Sequence, residues 1–445
     1  MCHKKSDSRR EFIRKSLSAS AAIGSLSVLP SAVLAGRRKA APSDTINLGL
    51  IGCRNMGFNI LRLHMDQPDA QCVALCDVDG EFLDSRTEDV KSKQGSAPRK
   101  YTDYRKMLEN TDIDAVVIGT PDHWHCLHLT AAIDADKDVY VEKPMANSIA
   151  EIEIMTKAAN SSNRVVQVGQ QQRSGTHWAE IMETIQSGRI GYLRKIKVWG
   201  NFRYGVGIPV VQDSNPPSHL DFDFWLGPAP LRSFNASRLH SKWRMFWDYG
   251  GGLLTDWGVH LMDMALWAKQ VDYMPLSVSA VGGNYSFKEF AHETPDTLSV
   301  VYEMKDFVLT WDHTAGTETG PYDMHYGLAF RGDKGTIVAN RNGWELKPET
   351  PDGKEATQKI PWTDGINYHK EHVRNFLDCV KTREKPNCTV ENGRLPAIYT
   401  HLGNIAYRTG EKLFYDESRQ KITNSKAANR YITPTYRAPW KLPVV

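Results

Sequence analysis

An aspartate and a histidine four residues apart, Asp256 and His260, stand in a stretch that is otherwise apolar almost all round, GGGLLTDWGVHLMDMALWA, residues 250–268. In a helix that spacing puts both side chains on one face, one turn apart. A carboxylate beside an imidazole is a common way to set a general base near neutral pH. A third ionisable residue, Asp263, lies in the same stretch. A helix apolar on every side is a buried one, and buried ionisable groups are costly unless they are paired or used. The same pattern also suits a purely structural i,i+4 pair, or a face that is wet after all.

A second constellation lies near the start. INLGLIG, residues 46–52, reads as a buried parallel strand. GCRNMG, residues 52–57, follows at once, and then FNILRLHMD at helical spacing. Strand, tight glycine turn and helix in that order give a dinucleotide fingerprint its meaning. Gly52, Asn55, Met56 and Gly57 fit the turn, but Arg54 occupies the second glycine position. There the backbone normally approaches a pyrophosphate, and a guanidinium could contact phosphate instead. Asp77 ends the next apolar strand, CVALCDVD, 20 residues after Gly57, where a carboxylate hydrogen-bonds the adenosine ribose of NAD. It would repel a 2′-phosphate, which favours NAD; Arg54 leaves NADP open.

The elements that must position these residues alternate. After Asp77 come the helix RKMLEN, the strand AVVIGT (115–120) and a helix from about residue 123 to 136. The strand VYVEKP (139–144), a helix from 148 to 160 and the strand VVQVG follow. Strands and helices so spaced build βαβ units and a parallel, doubly wound sheet. The loops at the carboxyl ends of its strands carry TPDHWH, EKP and GQQQR, where such a sheet binds its ligand. They place Thr120, Pro121, His125, Glu142, Lys143 and Gln170 on the cofactor side and Arg173 on the substrate side. His123, His125 and His128 lack the carboxylate cluster a metal site would add, so no metal is expected and a ring packed near the nicotinamide is the reading.

From residue 171 the pattern changes. A helix at 176–187 leads into alternating KIKVWGNF, and 278–281, 298–302, 308–311 and 328–331 also read as strands with one wet face. Trp243, Arg244, Trp247 and Tyr249 crowd the approach to the 250–268 stretch. Aromatic platforms with an arginine suit a sugar, and suit a core or dimer contact equally. Helices at 368–382 and 390–409 return toward the first domain, and the proline-rich tail 416–445 reads as extended.

The 445 residues suffice for two or three domains. With 55 basic and 52 acidic residues, nothing in the charge points to nucleic acid. Seven cysteines with no CxxC pair read as neither a zinc site nor a disulfide framework; Cys72 and Cys76 are expected on one side of a strand. SRREFIR, residues 8–14, resembles the twin-arginine export motif. A weakly apolar run from Leu17 to Ala35 follows, ending VLAG, a cleavage pattern. Residues 1–35 therefore read as a signal peptide, and removing their six basic and two acidic residues takes the net charge from +3 to −1. The run is too interrupted for a permanent span, so the mature chain is expected outside the cytoplasmic membrane, without a membrane segment. The motif implies export in the folded state, often with a cofactor already inside.

GCRNMG, CDVD, TPDHWH, EKP and GGGLLTDWGVHLMD, in this order, resemble the glucose–fructose oxidoreductase, inositol dehydrogenase and MocA (Gfo/Idh/MocA) family over residues 44 to about 415. The resemblance implies an α/β fold: a Rossmann domain at 44–170, then at 171–415 an α/β domain with a large, open, mostly antiparallel sheet. It implies Lys143 as a catalytic partner of Asp256 and His260, with His260 taking a hydroxyl proton, Asp256 orienting His260 and Lys143 polarising the oxygen. Trp243, Arg244, Tyr249 and Arg173 would meet the substrate. The expected function is NAD(P)-dependent oxidation of a sugar at a carbinol carbon, by a homo-oligomer that holds its cofactor tightly. Two alternatives stand beside it: a redox-neutral glycosidase that oxidises, eliminates, adds water and reduces, and a non-catalytic sugar- or nucleotide-binding protein.

Overall fold

The computed structural model describes residues 44–445; the export signal expected at 1–35 lies outside them. Six short strands form the first sheet: β1 (Ile46–Ile51), β2 (Ala70–Cys76), β3 (Arg99–Tyr101), β4 (Ala115–Ile118), β5 (Asp138–Val141) and β6 (Val166–Val168). Their order is β3-β2-β1-β4-β5-β6, every pair parallel. The apolar runs read in the sequence are apolar because helices cover both faces, so β4, β5 and β6 are buried at every residue. The strand order reverses between β1 and β4, and the crevice outside their carboxyl ends is where such a sheet takes its ligand.

Cys72 and Cys76 do not share a side. The register of β1 against β2 steps from Leu48↔Cys72 to Gly49↔Ala74, leaving Val73 as the extra residue of a bulge. A bulge reverses the inward–outward alternation beyond it. Cys72 accordingly packs with Leu48 and Leu75 on one face, and Cys76 with Ile118 and Trp124 on the other. All six cysteines among the described residues are buried thiols.

The second sheet has eight strands: β7 (Lys195–Gly200), β8 (Ser277–Gly283), β9 (Thr297–Glu303), β10 (Val308–Thr314), β11 (Tyr326–Arg331), β12 (Gly335–Asn340), β13 (Gly343–Pro348) and β14 (Ile360–Asp364). They run β14-β13-β12-β11-β7-β10-β9-β8, antiparallel except where β7 meets β10. β9 and β10 alternate as expected, but β12 is buried throughout and β11 at all but its last residue. The expected wet face is covered there, because Tyr322 and Met324 fold over Trp199, Ala329 and Val338.

Two long helices tie the halves together. In His369–Thr382, Val373, Phe376 and Leu377 are fully buried and pack with Leu48, Leu50 and Tyr140 under the first sheet. Each contributes about 1.5–3 kcal/mol by leaving water, so a late segment completes the early domain. Val390–Thr409 opens on a Thr389 capping box and packs against the helices Ile149–Asn160 and Val259–Ala268. After a small hairpin at 415–422 and the short helix Lys426–Asn429, the chain is extended and lays Trp440 edge-on against Trp124, 4.9 Å between ring centres. No helix among the described residues is long and apolar enough to cross a membrane.

Candidate active site

The cofactor end is built by three glycines. Gly52 takes φ +90°, and a Cβ there would stand 2.8 Å from the Gly119 carbonyl carbon and the Thr120 nitrogen. A Cβ on Gly57 would meet Gly52 O at 2.3 Å, and one on Gly119 would meet Gly57 Cα at 2.3 Å. The turn after β1 therefore lies directly on the end of β4, and the first N–H groups of the helix Asn55–Met65 stand at the crevice, an anion site by geometry and dipole. Arg54 is tolerated at the second glycine position because its backbone is extended, φ −96°. Its guanidinium lies 3.9 Å over the Phe82 ring and hydrogen-bonds His240. Asp77 Oδ2 accepts from Cys53 N–H at 2.6 Å and Oδ1 from Asp79 N–H at 2.9 Å, so the carboxylate braces the turn as well as facing the crevice. Burial pushes its carboxyl up, against the pull of those two N–H groups.

A cleft of about 910 Å³, part of it open to solvent, follows these residues and is lined by Gly52, Arg54, Asn55, Met56, Asp77, Thr120 and Pro121. Its far wall comes from the second domain. Residues 217–245 are laid over the crevice by the bonds Gly80 N–His219 O (2.8 Å) and Asp221 N–Val78 O (3.0 Å), and by Asn55 Nδ2 donating to Ser241 Oγ at 3.1 Å. Leu220, Phe224, Trp225 and Trp243 line the cleft from that side. The glycine cradle, the helix N-terminus and the carboxylate at the end of β2 fit a dinucleotide.

His125 does other work than touching a cofactor. It is fully buried, its Nδ1 is 2.9 Å from Pro144 O and its Nε2 2.9 Å from Thr120 O, which ties the loop after β4 to the loop after β5. Burial holds it neutral, its pKa down at about 4. Gln170 is fully buried at the end of β6. Glu142 is buried next to Lys143, with Gln171 donating to it at 3.2 Å, and burial pushes it up to about 7.

The two catalytic candidates of the 250–268 stretch do not pair with each other. Gly252, at φ +68° and with no room for a Cβ against Thr294, turns the chain into the helix. The first turns, Leu254–Gly258, are π-helical, and the α-helix Val259–Ala268 starts after them; such bulges recur at functional sites. Asp256 faces the first domain. Lys143 Nζ donates to Asp256 Oδ1 at 2.6 Å and to its backbone carbonyl at 2.8 Å. Arg244 Nε donates to Oδ1 at 3.2 Å and the Tyr204 hydroxyl to Oδ2 at 2.7 Å. Burial pushes the Asp256 carboxyl up, but Lys143 and Arg244 outweigh it and hold the group well below the carboxylate range. His260 donates no hydrogen bond to Asp256, and its Nδ1 is buried without a partner among the described residues. Burial first, then Arg341 and Lys143, hold it well below its ordinary value. The expectation that Asp256 orients His260 and stabilises its cation gives way to a different pairing: Asp256 orients Lys143, and His260 is a neutral imidazole.

The remaining expected residues divide. Trp243 and Arg244 line the cofactor cleft, the guanidinium 4.3 Å over the indole. Arg173 is held by Asp263, with three hydrogen bonds of 2.6 to 3.0 Å, and lies 5.1 Å over Trp267. That pair fixes the helix Val259–Ala268 to the end of the first domain and occupies the guanidinium expected at the substrate. Tyr249 is fully buried against Trp225 and His123, at 4.9 and 5.3 Å, away from any substrate surface. Sequence reasoning missed Gly119, which follows β4 in VVIGT, and Asp122, a buried carboxyl in TPDHWH that burial pushes well up. It also missed Tyr204, and it set Trp243 and Arg244 at the approach to the substrate without showing that residues 217–245 roof the cofactor cleft. Among the described residues no group of three His, Cys, Asp or Glu could hold a metal ion.

Known proteins share this fold. Residues 46–170 match the family model described as the oxidoreductase family, NAD-binding Rossmann fold, and residues 174–442 its C-terminal alpha/beta domain. A glycosyl hydrolase family 109 protein of Shewanella woodyi is 28% identical over 155 residues, 34% of this chain and 33% of its own length. Inositol 2-dehydrogenase of Salmonella typhimurium is 28% identical over 149 residues, 33% of this chain and 43% of its own. The chain thus matches less than half the length of either relative. In fold it is similar to the WlbA dehydrogenase from Bordetella pertussis, solved with NADH and UDP-GlcNAcA, at TM-score 0.60 and 19% identity over 84% of this chain and 99% of that one. With a matched NAD-binding Rossmann domain and a matched C-terminal domain over most of its length, this chain belongs to the Gfo/Idh/MocA oxidoreductase family.

Proposed function

We propose that the chain oxidises a sugar or sugar derivative at a carbinol carbon, with NAD held in the cleft between the glycine turn and residues 217–245. The observation that carries this is the junction of Lys143, on the loop after β5, with Asp256 and the neutral His260 on the helix of the second domain. Bound NAD supplies a hydride acceptor. Lys143, held by Asp256, donates to the substrate oxygen, and His260, whose lone pair is free, accepts the hydroxyl proton. General-base help of this kind is worth about 10²–10⁴-fold. Trp257, part exposed, is stacked at 4.3 Å on Phe202, tilted against Tyr326 at 5.0 Å and covered by the Arg341 guanidinium at 4.3 Å, so its rim, not its face, is what a sugar would meet.

A second reading is redox-neutral glycoside cleavage, favoured by one observation: the cleft is roofed by residues 217–245, which suits a cofactor kept through a whole cycle. The glycosyl hydrolase name of one relative supports it. Export, as the twin-arginine motif suggests, would make retention necessary, because free NAD is scarce outside the cytoplasm. We also propose a homo-oligomer, and a monomer mass in light scattering would reject it. Incubation with a panel of sugars and aryl glycosides, without added cofactor, tests the function. Net 340 nm absorbance supports the oxidoreductase, aglycone release without it supports the glycosidase, and neither leaves a binding protein.

A further inference from the structure

We infer that the substrate carries a carboxylate, as a uronic acid or uronide does, and that Arg341 receives it. The inference rests on the sugar-oxidoreductase reading above and names the class of sugar. Arg341 forms the two-residue turn between β12 and β13 with Asn342, and it is half-buried. Nε donates to the neutral Gln172 Oε1 at 3.1 Å, and Cζ lies 4.3 Å over the Trp257 ring. Among the described residues no carboxylate stands within ion-pair distance of it, and its Nη groups have no acceptor. Three other half-buried arginines around the two domains are neutralised, Arg173 by Asp263 at 2.6 Å, Arg244 by Asp256 at 3.2 Å and Arg394 by Glu153 at 2.6 Å, whereas Arg341 stands without such a partner. A guanidinium is built to take a carboxylate with two parallel N–H bonds.

Its place makes that ligand the substrate. Trp257 follows Asp256 directly and its ring centre is 6.3 Å from that of His260. After burial, Arg341 and then Lys143 are the side chains that most lower the His260 pKa, so the Arg341 charge is felt at that ring. Asp256 is already engaged by Lys143, Arg244 and Tyr204. A sugar against the rim of Trp257 with one hydroxyl between Lys143 and His260 would bring a substituent on its other side to Arg341. Tyr204, Trp257, Arg341 and His369 all keep exposed surface around this point.

The test compares matched pairs on the purified full chain with its cofactor: methyl β-D-glucuronide against methyl β-D-glucoside, the galacto pair, and the corresponding 6-sulfates. Kd is read by calorimetry, and cofactor reduction at 340 nm. A hydrogen-bonded charged group is worth about ten- to a hundredfold in affinity, so one uronide should bind tighter than its neutral partner by that factor. Arg341→Met should erase the ratio, and Arg341→Lys should keep part of it. Salt should weaken the uronide only. The inference is overturned if no uronide binds, if each neutral partner binds as well, or if Arg341→Met weakens both partners equally, the mark of a residue that merely joins Gln172 to Trp257. A sulfate preferred over the carboxylate overturns the carboxylate assignment. A neutral sugar that alone reduces the cofactor would leave the oxidoreductase reading standing while this one falls.

Discussion

Asp256→Asn isolates the pairing that distinguishes this site from a simple Asp–His relay. The amide keeps the shape and one acceptor but removes the charge that Lys143 and Arg244 share at 2.6 and 3.2 Å. Lys143 retains its bond to the Asp256 carbonyl at 2.8 Å, so the lysine is loosened, not released. Side-chain exposure of 9% for Lys143 and 11% for Asp256 makes this a buried pair. Breaking one costs about 3–5 kcal/mol because a charge is left uncompensated. The retained carbonyl bond puts the expectation at the lower end, about 3 kcal/mol, and if that loss is felt at the transition state turnover falls about a hundredfold. The assay is a double-mutant cycle on denaturant midpoints, pairing Asp256→Asn once with Lys143→Met and once with His260→Asn. Residues in contact couple by about 0.5–3 kcal/mol, and those more than about 7–10 Å apart with no shared partner add to within about 0.5. The lysine cycle should couple the more strongly, because Asp256 bonds Lys143 directly, whereas Asp256 and His260 share Lys143 without a bond between them. The reverse result, or Asp256→Asn within twofold of wild-type turnover, would refute the pairing.

Four further expectations follow from the structure. A Cβ at Gly119 would stand 2.3 Å from Gly57 Cα, so Gly119→Ala should release the nucleotide that supernatant assay finds after denaturing the wild type, and Asp77→Ala should weaken NAD more than NADP. Arg173→Met leaves Asp263 buried and unpaired, so it should lower stability by about 3–5 kcal/mol, measured by urea unfolding, with little change in KM for the sugar. Burial holds His64, His123, His125, His313 and His401 neutral, each with its pKa down at about 4. The unfolded chain binds the protons that the folded one refuses below about pH 6.5, so stability is whole above that pH and is lost as pH falls toward 4. Each ring contributes up to about 3 kcal/mol of that loss. The melting temperature should therefore drop steeply between pH 6.5 and 4; a flat profile there would mean that these rings are not held neutral.

Which features could be read from the chain depended on the range of the interaction that makes them. The glycine turn after β1, its helix and Asp77 are legible because strand, turn and helix are written in consecutive residues. So are the parallel strands, whose unbroken apolar runs reflect cover on both faces. Asp256 and His260 were legible as candidates but not as partners. The i,i+4 rule assumes an α-helix, the turn here is π-helical, and the carboxylate is drawn to Lys143 from 113 residues away. Asp263 and Arg173 announce two charges, yet only folding shows that they neutralise each other. The bulge at Val73 that parts Cys72 from Cys76 leaves no mark in composition. Tyr204, Arg341 and the roof at 217–245 come from loops without periodicity, and the strands after residue 331 went unread, with β12 buried on both faces. The sequence by itself determined the cofactor fold and the residue types that could do chemistry. Tertiary structure decided which charge meets which, because a buried ion pair is made by whatever opposite charge the fold brings within about 4 Å, whatever its distance along the chain.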